Sequence, residues 1–139
     1  MSDYSTTTFG ESGELTQVRH ALTAVGNGET TIGIRAKNGI VIAAEKKLGS
    51  ILVDESSIHK VEKLCDYMGM TYSGIGPDFS AVLMKCRKDV QVYHSKYMDK
   101  ITPFMMCKGV AELFQEYTQS GGVRPFGIGM IVGGYDEHC

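Results

Sequence analysis

TTIGIRAKNGIVIAA, running from Thr30 to Ala44, holds two apolar, β-branched runs joined by Lys37-Asn38-Gly39. Asn-Gly between two such runs is a strong signal of a tight antiparallel hairpin. Thr30–Ala36 and Ile40–Ala44 are therefore read as paired strands. The second run is apolar at every position, which predicts a strand buried on both faces inside the fold.

On the C-terminal side, Leu48–His59 is mixed and reads as irregular. Val61–Leu64 and Met68–Ser73 form a second, shorter hairpin around Cys65-Asp66. Gly74-Ile75-Gly76-Pro77-Asp78 is a turn into a helix, with Asp78 expected to cap free amides. That helix sets Phe79, Val82, Leu83, Cys86, Val90, Tyr93 and Tyr97 on one face and ends near Asp99-Lys100. A second helix starts at Thr102-Pro103, a cap followed by a first-turn proline. Met106, Val110, Leu113 and Tyr117 are expected to be its buried stripe and Gly121-Gly122 its end. Phe126–Val132 then opens another buried strand.

On the N-terminal side, Leu15, Val18, Ala21, Leu22 and Val25 recur at helical spacing and stop at Asn27-Gly28. A polar, Ser/Thr-rich leader precedes them, so residues 1–12 are read as a leader and 13–139 as one domain. Strands clustered ahead of two consecutive helices define an α+β layered fold rather than alternating βαβ units. Stopping at Gly133-Gly134-Tyr135 leaves the sheet unfinished, so the chain is expected to be a fragment or to have its sheet completed by partners.

The formal charge of -2 offers no electrostatic footprint for nucleic acid or an anionic membrane. No apolar run reaches membrane-spanning length, and MSDYSTTTFG lacks the basic and apolar regions of a signal peptide, so a soluble, intracellular protein is expected. Cys65, Cys86, Cys107 and Cys139 form no CxxC pair, and His20, His59, His94 and His138 are not placed beside them at ligand spacing. Reduced, mostly buried thiols are the expectation, with no metal and no cofactor.

Candidate chemistry is sparse. Gly74-Ile75-Gly76 lacks the third glycine of a dinucleotide fingerprint and the lysine of a P-loop, so a turn is the better reading. Glu112 and Glu116 lie one helical turn apart on a solvated face. His59 beside Lys60 has no marked nucleophile nearby, and no GxSxG elbow occurs. The residues by themselves specify an α+β domain without an identifiable active site.

Five segments together resemble the α subunits of the 20S proteasome. TTFGESGELTQVRHALTAV matches the family form FSPxGRLxQVEYAxxAV at Phe9, Ser12, Gly13, Leu15, Gln17, Val18, Ala21, Ala24 and Val25. GIVIAAEKK, SIHKV, YSGIGPD and EYTQSGGVRPFG follow in family order, so the likeness covers essentially the whole chain. The run TQSGGVRPFG is similar to one paralogous type in particular.

That resemblance implies a four-layer α-β-β-α sandwich of the N-terminal-nucleophile hydrolase type, incomplete here because family members are longer. It implies a non-catalytic structural subunit serving ring assembly, gating of substrate entry and activator docking in protein degradation. Implied partners are neighbouring α subunits, β-ring subunits and the C-terminal tails of regulatory particles, in cytoplasm and nucleus. Asp3, Tyr4 and Phe9 would belong to the gate leader. Lys60 would line the pocket that receives an activator's C-terminal carboxylate.

The alternative is a β-type threonine protease or another hydrolase of the same fold. Catalytic siblings start their first strand with a threonine activated by a nearby lysine and by its own terminal amine. Aligned on Gly39, that threonine position is Glu29, the aspartate position is Glu45 and the lysine position is Lys60. Thr30 and Thr31 follow too late, so the resemblance implies no catalysis. Other departures are Ser2 for the gate tyrosine, Tyr4 for its arginine, Glu11 for the proline, Arg19-His20 for Glu-Tyr, and Ser80 for an arginine.

Overall fold

The computed structural model describes residues 8–136. Its elements run α1 (Thr16–Gly26), β1 (Thr31–Ala36), β2 (Gly39–Ala44), a 3-10 turn (Glu55–Ser57), β3 (Val61–Cys65), β4 (Met68–Gly74), α2 (Gly76–Tyr97), α3 (Pro103–Gln119) and β5 (Ile128–Gly134). Helices and antiparallel sheets are thus segregated, as the α+β reading requires.

β1 and β2 form a two-stranded sheet in the register set by the Lys37-Asn38 turn, with Ala36 opposite Gly39 and Thr31 opposite Ala44. β3, β4 and β5 form a three-stranded antiparallel sheet with β4 in the centre. One face of β4 presents Met68, Met70 and Tyr72, the other Gly69, Thr71 and Ser73, as the period of two dictates.

The first face meets the helices. Phe79, Val82, Leu83, Cys86 and Val90 of α2 and Met106 of α3 close over Met68, Met70, Tyr72 and Ile128 to form the core. Tyr72 stacks on Phe79 with ring centroids 4.2 Å apart. The stripe fades toward the end of α2, where Tyr93 is half-buried and Tyr97, on the same face, is 54% exposed. Tyr97 is the last helical residue before the left-handed cap at Met98 (φ 54). α3 begins as read, with the Thr102 hydroxyl accepting the Met105 N–H at 3.2 Å, but of its expected buried stripe only Met106 is buried, and Val110, Leu113 and Tyr117 are half-buried. Phe126 does not enter β5 but packs on Phe114 and Tyr117, at centroid distances of 5.1 and 4.4 Å.

The second face meets the β1–β2 hairpin. A Cβ on Gly33 would stand 2.9 Å from Ile131 of β5, and Ile42 fills the space over Gly69 and Gly133. This close stacking corrects the expectation that β2 is buried on both faces. Only its inward side is covered; Val41 with Ile32 and Ile34 of β1 forms the outward side, 60%, 51% and 58% exposed. The run is apolar throughout, yet among the described residues nothing overlies that side.

Beside the hairpin, α1 lies along the same face of the sheet. Its Val25 carbonyl accepts the Ser73 hydroxyl at 3.1 Å, and Val25 stands where a side chain on Gly129 would be. The order of layers among the described residues is therefore helices, sheet, then hairpin with α1.

Candidate functional site

The junction of α1, β1, β3 and β4 gathers the one buried lysine among the described residues. Lys60 directly precedes β3, whose first residue Val61 pairs with Thr71 of β4. Thr71 is wholly buried, and its hydroxyl donates to the Lys60 carbonyl at 2.8 Å, fixing the backbone from which the side chain departs. The side chain then crosses the Tyr72 ring, with Nζ 4.4 Å from the centroid. It ends by donating to Glu29 Oε2 at 2.6 Å.

Glu29 reaches this point because Gly28 lets the chain pass hard against β4. A Cβ on Gly28 would stand 2.3 Å from the Gly74 nitrogen and 2.3 Å from Ser73 Oγ, so no other residue fits without moving backbone. The Lys60 side chain is 8% exposed and that of Glu29 is 26% exposed. Burying an ammonium ion is costly unless a charge-assisted partner meets it, which Glu29 and the Tyr72 face together supply. The bond from Lys60, followed by one from its own backbone amide, holds the Glu29 carboxyl below the usual range, and the Lys47 charge adds to this.

A second polar knot lies at the start of α2. Asp78 does not cap the helix; Ile75 is the N-cap and provides no side-chain bond. Asp78 instead accepts from Arg124 Nη1 and Nη2, both at 2.7 Å, and from the Gly127 amide at 3.0 Å. A fork of donors from the approach to β5 outbids the helix's own amides because guanidinium matches a carboxylate bidentately. Arg124 first, and the Gly127 amide with it, lower the Asp78 pKa against the opposing effect of burial. Gly74 makes this junction possible: its φ is +110, and a Cβ there would meet the Gly127 carbonyl oxygen at 2.2 Å.

The remaining candidates are scattered. Phe9 is 68% exposed and bridges to Leu15, while Asp3 and Tyr4 lie outside the described residues. Glu45 stands exposed, and Lys60 takes its carboxylate partner from Glu29. Thr30 is exposed and Thr31 is half-buried at the head of β1, in continuous chain with Glu29. His59 meets Glu62 at 3.3 Å, and Glu62 also receives Arg87 at 2.8 Å. Glu112 and Glu116 are exposed on α3. Of the thiols expected to be mostly buried, Cys86 is buried, Cys65 half-buried and Cys107 exposed, since Cys107 lies off the apolar stripe of α3.

Among the described residues no three His, Cys, Asp or Glu side chains converge as metal ligands. No described helix is long and apolar enough to cross a membrane. The roomier clefts lie elsewhere, one of about 610 Å3 between the β1–β2 turn and the start of α3, another of about 520 Å3 beside β3, and neither is lined by a buried ionisable group.

Both polar knots went unmarked in the reading of individual residues. Glu29 and Lys60 are 31 positions apart, Asp78 and Arg124 46 apart. The available signal was that Asp78 and Arg124 each fall inside a segment carrying the family resemblance, as does Lys60.

A hairpin stacked on a helix-backed sheet, with a lysine held at its edge, fits the sequence comparisons. The chain belongs to the proteasome family, whose subunit profile matches residues 25–139. It is similar to proteasome subunit alpha type-2 of Oryza sativa subsp. japonica, 51% identical over 97% of this chain and 57% of that protein. It is likewise similar to proteasome subunit alpha type-2-A of Arabidopsis thaliana, 52% identical over 96% of this chain and 57% of the relative. Against proteasome subunit alpha type-2 of Dictyostelium discoideum the identity is 46%, over 98% of this chain and 59% of the relative. The chain thus spans a little under three-fifths of the length of these curated relatives.

Proposed function

We propose that the chain acts as a non-catalytic α-type subunit of the 20S proteasome core, in the cytoplasm and nucleus. Its work is structural, in an outer ring, together with gating of substrate entry and docking of activators. Neighbouring α subunits, β-ring subunits and the C-terminal tails of regulatory particles are its partners. The single observation carrying the non-catalytic half is the Glu29–Lys60 bond. A threonine protease of this fold needs a hydroxyl nucleophile with a free amine beside such a lysine. Here the position holds a carboxylate, its nitrogen is acylated by Gly28, and the lysine is already engaged.

The α-β-β-α sandwich of the N-terminal-nucleophile hydrolases is the fold we assign to the whole subunit. Three of its layers have counterparts in α2 with α3, in β3–β4–β5 and in β1–β2. The outward side of Ile32, Ile34 and Val41 is where the fourth, helical layer belongs. The test is co-expression with the other core subunits. Native mass spectrometry should find this chain in closed barrels, closed symmetric assemblies being the rule for such surfaces. An electrophilic peptide inhibitor should add mass to β subunits and leave this chain unmodified. A chain beginning at Thr30 or Thr31 and carrying the inhibitor would overturn the reading. Lys60→Ala should weaken activator-stimulated peptide hydrolysis while barrels still form; undiminished stimulation would remove Lys60 from docking.

A further inference from the structure

A lysine that receives an incoming carboxylate must be free to do so, and Lys60 is not. Its ammonium is buried, lies over the Tyr72 ring and donates to Glu29 Oε2 at 2.6 Å. The ligand chemistry expected at such a cation, a single carboxylate, is already supplied by the same chain.

We infer that Glu29 is the resident occupant of the anion position at Lys60, an intrachain competitor that sets how readily an incoming C-terminal carboxylate is bound. The inference rests on the activator-docking reading above and assigns regulation of that same site.

The two partners differ in freedom, and that decides which one yields. Lys60 is fixed by the Thr71 bond to its carbonyl and by the Tyr72 face under its ammonium. Glu29 sits on the connection between α1 and β1, and its side chain is about three times as exposed, 26% against 8%. A Glu29 carboxylate turning outward reaches water, since its side chain is already 26% exposed. Lys60 turning outward would have to leave the ring and the core. Exchange therefore proceeds by departure of Glu29, and the carboxylate that replaces it inherits the same Nζ donor. When only a fraction of molecules present a free cation, the apparent affinity falls by that fraction. Glu29 is accordingly a specificity-determining residue, handicapping every anionic tail equally and leaving neutral contacts untouched.

The experiment uses barrels assembled with the full chain and two fluorescein-labelled hexapeptides of one sequence, one ending in a free carboxylate and one in an amide. Glu29→Gln keeps the shape of the side chain and removes its charge; Glu29→Ala removes the competitor outright. In both variants the carboxylate peptide should bind about tenfold tighter than in the parent, as expected if Lys60 is free in about a tenth of molecules. Binding of the amide peptide should not change, and Lys60→Met added to Glu29→Ala should abolish the gain. Equal carboxylate binding by parent and both variants in intact barrels overturns the inference alone. A gain that survives Lys60→Met, or that the amide peptide shares, also overturns it, because the site would then not be Lys60. Failure of the parent chain to enter barrels overturns the subunit reading and the inference together.

Discussion

Replacing Asp78 by asparagine isolates the charge of one carboxylate at the joint between α2 and β5. The parent carboxylate accepts three hydrogen bonds, two from the Arg124 fork at 2.7 Å and one from the Gly127 amide at 3.0 Å. Asparagine keeps one oxygen. Placed where Oδ2 was, it retains Gly127 and Nη1, but its amide nitrogen then faces Nη2, donor against donor. A hydrogen bond to a charged group is worth roughly 1.5–3 kcal/mol, so losing one and weakening another could reach twice that. The Arg124 side chain is 56% exposed and recovers water, which argues for the low end. We expect a loss of about 2 kcal/mol, or about 6–10 °C in Tm for a chain of this size.

Urea unfolding followed by circular dichroism reads it, and the slope with denaturant should not change. The pH dependence separates charge from packing. The folded-state pKa of Asp78 lies below its unfolded value, so its contribution is complete above about pH 5. It declines as pH falls through the unfolded value, about 3.9, and is gone below the folded one. The advantage of the parent over Asp78→Asn should therefore be flat near neutrality and vanish in strong acid. Equal stability at pH 7, or an advantage undiminished at pH 2, would refute the account.

Gly74→Ala should cost at least about 3 kcal/mol, because its positive φ and the 2.2 Å approach to the Gly127 oxygen leave only backbone to move; soluble yield and urea midpoint report it. Phe79→Ala removes a ring 2% exposed and stacked on Tyr72, and should lower stability by about 3–5 kcal/mol in the same measurement. Burial pushes the Cys86 thiol up to about 11 and leaves it 1% exposed, whereas Cys107 is exposed. Iodoacetamide followed by peptide mass mapping should find Cys107 alkylated at least about tenfold faster than Cys86 in the native chain, and comparable rates would contradict the packing of α2.

Local chemistry made most of the elements legible. Asn38-Gly39 located the first hairpin, Thr102-Pro103 the start of α3, and Gly74 the entry to α2. Each signal rests on a few adjacent residues and needs no knowledge of the rest of the chain. The structure departs from local expectation where a distant group decides the outcome. Asp78 carries the side chain of a helix cap, but Arg124 takes it instead. Ile40–Ala44 has the composition of a strand covered on both sides, and composition alone does not say which layer provides the second cover. The site itself was legible only in part. Resemblance marked Lys60 and Glu29 as aligned with a lysine and a nucleophile position, yet no local pattern announced that their side chains meet.

The seating of α1 carries a mechanical consequence. The helix is clamped at its C-terminal end, where Val25 is bonded to Ser73 and Gly28 is wedged against Gly74, one residue from Glu29. Its opposite end holds the turn in which Phe9 bridges to Leu15. Eleven residues make a lever arm of ~16 Å, so a tilt of about 5° at the clamp displaces the far end by roughly 1.4 Å. A tilt too small to break the hydrogen bond at Glu29 would thereby be magnified where Phe9 meets Leu15.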